Sequence, residues 1–167
     1  MLRIVIIGGT GHVGTYLVPR LVHSGHEVLS ISRGESKPYH NHPAWESVEQ
    51  VRLDRAAEEA VGDFGERVRS LRPDVVIDMI CFELESARQL VEALEGHVRH
   101  FLHCGTIWVH GHSTQVPQQK TNPAIPSGSM APRRHRSRTT CSTKPAATAF
   151  RRQCSTQAIS WGLGRFP

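Results

Sequence analysis

Along the first two-thirds of the chain the apolar positions follow two rhythms, short unbroken runs and runs that recur every three or four residues. Arg3-Ile4-Val5-Ile6-Ile7 is β-branched and short, as a strand buried on both faces of a parallel sheet requires. Val13, Leu17, Val18, Leu21 and Val22 then share one helical face, and Ser24-Gly25 closes that helix. His26 to Ser32 predicts a second strand, residues 34–47 a loop rich in Pro, His, Asn and Gly, and Val48 to Leu53 a third strand. From Arg55 to Leu71 the pattern predicts one helix with an acidic first turn, stopped by Pro73. Asp74 to Cys81 predicts a fourth strand, and Leu84, Ala87, Leu90, Val91 and Leu94 form the face of the next helix, which Gly96 ends. His100 to Cys104 predicts a fifth strand. Strands alternating with helices across short connections predict an α/β fold, a doubly wound parallel sheet that stops after about five strands.

Between the first strand and the first helix lies Gly8-Gly9-Thr10-Gly11-His12-Val13-Gly14. Glycines at 8, 11 and 14 remove three Cβ atoms from a strand-to-helix turn, so a pyrophosphate can approach the backbone and rest on the first N–H groups of the helix. Gly8, Thr10, Gly11, His12, Val13 and Gly14 are therefore the expected dinucleotide-binding residues. At the end of the second strand an acidic residue would accept the ribose 2′-hydroxyl of NAD, and a basic one would suit a 2′-phosphate. Arg33 stands there, so NADP is the expected cofactor, and Glu35 beside it leaves NAD open. The 34–47 loop is expected to lie over the nucleotide.

The four cysteines lack Cys-x-x-Cys spacing and two of them fall in predicted buried strands, which argues for reduced thiols. The first strand begins almost at the N-terminus and leaves no room for a signal peptide, so a cytoplasmic protein with no membrane segment is expected. Eleven histidines show no metal-ligand spacing, and no metal is expected.

With these segments in place, the chain resembles the NAD(P)-dependent epimerase/dehydratase family, the extended branch of the short-chain dehydrogenases/reductases, over residues 1 to about 117. Beyond the glycines the resemblance rests on Asp54-Arg55 after the third strand, Asp78-Met79-Ile80-Cys81 at the fourth, and Gly105-Thr106-Ile107-Trp108-Val109-His110-Gly111 after the fifth. It implies a Rossmann-like NAD(P)-binding domain in which Asp54 and Arg55 help to bind the cofactor. It also implies that Thr106 occupies the place of the hydroxyl residue that hydrogen-bonds the reacting oxygen, with His110 where a Tyr is common. Partial negative charge develops on that oxygen as hydride moves, and a neutral donor such as Thr106 stabilises it. The implied substrate is a sugar nucleotide or a similar small carbonyl compound.

The family's Tyr-x-x-x-Lys pair is missing, since the only tyrosines are Tyr16 and Tyr39. Composition changes at the same point: residues 1–117 hold 11 Lys and Arg against 15 Asp and Glu, while residues 118–167 hold 9 Lys and Arg and no acid. The +5 net charge comes wholly from this tail, which has no apolar period that would join the sheet. Three readings compete: a basic nucleic-acid-binding tail, a disordered linker, or a stretch translated in a displaced frame. Reverse translation favours the last. Triplets beginning at each codon's third base permit Phe-Gly-Glu-Tyr-Gly-Thr-Ala-Lys over Pro126 to Arg134, and they restore the pair at its spacing. Over Arg151 to Leu163 they permit Ala-Thr-Val-Leu-His-Pro-Gly-His-Ile-Val-Gly-Pro. Codon degeneracy supplies many of these bases, but Met130-Ala131 and Trp161-Gly162 each force a glycine where the family pattern has one. As written, the chain is expected to bind a dinucleotide and to lack a complete proton-transfer apparatus. The alternative is a non-catalytic nucleotide-binding protein whose basic tail contacts RNA. Only Phe150, Trp161 and Phe166 there could stack on bases, so nucleic acid is the less expected partner.

Overall fold

The computed structural model describes residues 1–105 and the strand Cys154–Gln157. Thr106, the segment that follows it and the tail up to residue 153 lie outside the described residues.

Six parallel strands form one sheet: β1 (Arg3–Ile7), β2 (Glu27–Ser32), β3 (Glu49–Arg52), β4 (Val75–Asp78), β5 (His100–Cys104) and β6 (Cys154–Gln157), in the order β3-β2-β1-β4-β5-β6. The order reverses between β1 and β4, as in a doubly wound sheet. Period-two alternation splits the core between the two faces of the sheet. Val5, Ile7, Leu29, Ile31, Val76 and Phe101 pack against Phe64, Val68, Leu90 and Leu94 on one side. Ile4, Ile6 and Val28 pack with Val18 and Val48 on the other. The helices are α1 (His12–His23), α2 (Arg55–Val61), α3 (Phe64–Ser70) and α4 (Leu84–Leu94). No helix among the described residues is long and apolar enough to cross a membrane.

Three expectations need correction. The predicted single helix over 55–71 is two helices. Gly62 adopts the left-handed conformation at φ +84° and caps α2, and Asp63 precedes a second start. A helix cannot run through that backbone, and glycine is the residue that accommodates it. The 34–47 loop contains a 3-10 turn at Pro43–Ser47, with His42 Nδ1 accepting from the Ala44 N–H at 3.1 Å. The five strands expected form the parallel sheet, and a sixth joins them at the β5 edge. Cys154–Gln157 pairs with β5 in the register Phe101 to Cys154, where the open parallel edge offers unpaired N–H and C=O groups to an extended segment. The third and fourth strands are also shorter than predicted, and β4 ends at Asp78, three residues before Cys81.

Candidate functional site

A cleft of about 1130 Å³ opens at the carboxyl ends of β1, β2 and β4, where the strand order reverses. Crevices at such switch points are where α/β sheets bind ligands. Its floor is the glycine turn. Gly8 sits at φ +83°, and a Cβ there would lie 2.6 Å from Ile80 Cγ2. At Gly14 a Cβ would lie 1.9 Å from the Gly9 carbonyl oxygen, so this glycine lets α1 start beneath the turn. Gly11 is different: its backbone is extended, and a Cβ would meet nothing closer than the Gly8 oxygen at 3.5 Å. The fold does not need a glycine at 11, whereas a ligand approaching the backbone there does.

The start of α1 suits an anion. Gly11 is its N-cap and offers no side chain to the first N–H groups, the first turn holds no acid, and Arg20 and His23 lie in the last turn. Thr10 lines the cleft, while His12 and the half-buried Val13 belong to the first turn of α1. The loop after β2 is pinned across this turn. The Tyr39 N–H donates to Thr15 Oγ1 at 3.1 Å, that hydroxyl donates to the Gly11 carbonyl at 3.0 Å, and the His12 ring stands edge-on to Tyr39.

Arg33 lines the cleft with Ser36 and Lys37, its side chain 63% exposed, and pairs with Glu35 at 3.0 Å. Asp54 caps α2, accepting from the Ala56 N–H at 2.9 Å, and also faces the cleft. Arg55 lines the cleft but turns inward. Its Nη1 donates to Asp78 Oδ1 at 2.9 Å, its Nε donates to Glu59 Oε1 at 2.5 Å, and its guanidinium carbon lies 5.1 Å from the Phe64 ring centre. Burial, the largest single effect, lowers its pKa, but the charges of Asp78 and Cys81 and the hydrogen bonds to Asp78 and Glu59 together outweigh it, and the net shift is upward.

Asp78 is fully buried at the end of β4, with Cys81 and His103 beside it, and ligand-type atoms of the three lie within 4.8 Å of one another. The positive charge that this cluster calls for is already supplied by Arg55. Burial and then the Asp78 charge push the Cys81 thiol up to about 12, so it is protonated at neutral pH. Gly8, Thr10, Gly11 and Arg33 line one cleft. Asp78 and Ile80 join the site as residues that sequence reasoning used only as strand and family markers, and Thr106 lies outside the described residues.

Three comparisons with known proteins bear on this site. The family model described as NAD dependent epimerase/dehydratase matches residues 4–161, so the likeness extends beyond residue 117 and includes β6. Streptomyces kanamyceticus 2′-dehydrokanamycin reductase is 32% identical over 127 residues, which is 75% of this chain and 33% of that protein. Among solved structures, a UDP-galactose 4-epimerase superposes with a TM-score of 0.73 at 20% identity, covering 93% of this chain and 55% of the other. Bordetella bronchiseptica WbmG in complex with NAD and UDP gives 0.66 at 18%, covering 83% and 48%. The chain thus spans about a third of the length of the curated relative and about half that of the structures it matches.

Proposed function

The chain belongs to the NAD dependent epimerase/dehydratase family, and from that premise we propose that it is the dinucleotide-binding part of a reductase, epimerase or dehydratase that acts on a sugar nucleotide or a similar small carbonyl compound. One observation carries the binding half of this reading: the open approach at Gly11, set above an uncapped helix N-terminus at the switch point of the sheet. A bound nicotinamide dinucleotide would supply hydride transfer. The residues of this chain would hold it: the Gly8–Gly14 turn at the pyrophosphate, Asp54 at one wall with the inward-turned Arg55 supporting it from behind, and Arg33 at the ribose. Arg33 favours NADP over NAD.

Turnover requires a proton to leave or reach the substrate oxygen. On this reading Thr106 polarises that oxygen, and the Tyr and Lys that would move the proton belong to the displaced frame. The chain as written is then a binding domain without a complete catalytic set. Sequencing the coding DNA from the Gly111 codon onward tests this directly. An open displaced frame that encodes Tyr-x-x-x-Lys is the expected result, and a closed one means that the basic tail is a genuine segment.

Titration with NADPH and NADH, followed by nicotinamide fluorescence, tests the binding half. Binding is expected. Gly11→Ala should weaken it by about tenfold or more, equivalent to about 1.4 kcal/mol, while moving the unfolding midpoint little, because the added methyl meets only the Gly8 carbonyl oxygen at an ordinary contact distance of 3.5 Å. No binding by the unmodified chain, or binding indifferent to Gly11→Ala, would refute the site.

A further inference from the structure

Resting on the dinucleotide site just described, we propose that the buried Arg55–Asp78 pair is a positioning device that holds the β4–α4 loop in the shape that walls the cleft. Asp78 Oδ1 accepts two hydrogen bonds, from Arg55 Nη1 at 2.9 Å and from the Ile80 backbone N–H at 3.2 Å. The second bond turns the chain as it leaves β4 and brings Ile80 over Gly8, where its Cγ2 fills the space that a Cβ on residue 8 would need. Ile80 and Phe82 line the cleft facing the glycine turn. The place of one carboxylate oxygen therefore sets the place of a cleft wall.

Arg55 is held in turn. Glu59 Oε1 accepts from its Nε at 2.5 Å, and Glu59 Oε2 accepts from Ser86 Oγ at 2.7 Å. Ser86 lies on α4 and Asp78 ends β4, so the polar chain Ser86, Glu59, Arg55, Asp78 spans the loop between them and reaches into it at Ile80. Stability alone does not account for this arrangement. A buried ion pair roughly breaks even against apolar side chains of the same volume. Moreover, Asp78 Oδ2 and Arg55 Nη2 find no hydrogen-bond partner among the described residues. A pair that leaves two buried polar atoms unsatisfied is a poor staple, whereas the bonds it does make run in fixed directions and set geometry well.

Two substitutions in the full chain test the assignment. Asp78→Asn keeps the shape and removes the charge, and Arg55→Met removes the donor and keeps an apolar stem. Each is expected to weaken NADPH or NADH binding about tenfold, the scale of one charge-assisted hydrogen bond, at a temperature well below the unfolding midpoint. The double variant should lose no more than the worse single one, since both act through the same carboxylate. Asp78→Asn that binds like the unmodified chain and lowers only the unfolding midpoint overturns the proposal. So do losses that multiply, which would mean that Arg55 touches the dinucleotide independently. Should these variants fail to fold, amide exchange in the unmodified chain decides. The Ile80 amide is expected to be protected without any ligand, and free exchange there overturns the assignment. The same measurement stands if the unmodified chain binds no dinucleotide, an outcome that removes the proposed function and leaves the loop assignment to be judged by exchange.

Discussion

Arg33 and Glu35 face each other at 3.0 Å, both 63% exposed, on the lip of the cleft. A pair so exposed is worth little, because water screens both charges. Arg33 can exchange it for a phosphate at small cost, yet Glu35 still places a negative charge where a 2′-phosphate would arrive. Glu35→Gln is therefore expected to raise affinity for NADPH relative to NADH by about fivefold, the scale of about 1 kcal/mol for exposed charges. Parallel titrations with the two cofactors read the ratio, and an unchanged ratio places the 2′ position away from Arg33. These residues were legible in the sequence because turn chemistry is local: the three glycines and the first residues after β2 lie within a few positions of the strands that aim them. Asp78 was not legible in the same way. Its role depends on Arg55, 23 positions earlier, and on a contact across two elements. The available signal was an acid closing the apolar run Val75-Val76-Ile77, since a carboxylate in such a place has to find a cation or be exposed.

Elements with a strong period were read correctly, and those that depend on a single backbone angle were not. β1, β2, β5, α1 and α4 carry runs or helical faces long enough to specify their type. The break between α2 and α3 rests on Gly62 alone, in a stretch whose composition otherwise favours one helix. That break gives α3 its own direction and lets it lie close against α4. Gly65 marks the contact: a Cβ there would come within 2.4 Å of Ala93 Cβ. Gly65→Ala is expected to destabilise by about 1–3 kcal/mol through overpacking. In an Ala93→Gly background that cost should shrink, because the 2.4 Å contact is gone and only the closer-than-usual Gln89 carbonyl oxygen at 3.3 Å remains, while alanine is the better helix former. Urea unfolding of the four chains measures the coupling. Equal costs in both backgrounds would mean that the α3–α4 contact does not limit the packing.

At the scale of the whole molecule the open question is the edge of the sheet beyond β5. Phe101 and Leu102 place an apolar strand there, and β6 covers it with Cys154-Ser155-Thr156-Gln157, a segment with no apolar period. Nothing in that composition announces a strand, which is why the sequence suggested a sheet of five. The family match nevertheless continues to residue 161, and the displaced frame permits Val-Leu-His across the first three of these positions, Cys154 to Thr156. A β-branched and apolar segment suits a strand in a parallel sheet far better than a polar one. The triple change Cys154→Val, Ser155→Leu and Thr156→His should therefore stabilise the full chain by about 1–3 kcal/mol, the scale of partly burying two aliphatic side chains. It should also reduce self-association through the β5 edge, which a poorly seated neighbour leaves available to other chains. Urea midpoints and light scattering read the two effects together. A gain in both ties the written tail to a strand whose own side chains belong to another frame. An unchanged midpoint with unchanged scattering would mean that backbone pairing alone seats β6, and that its side chains contribute nothing to the sheet.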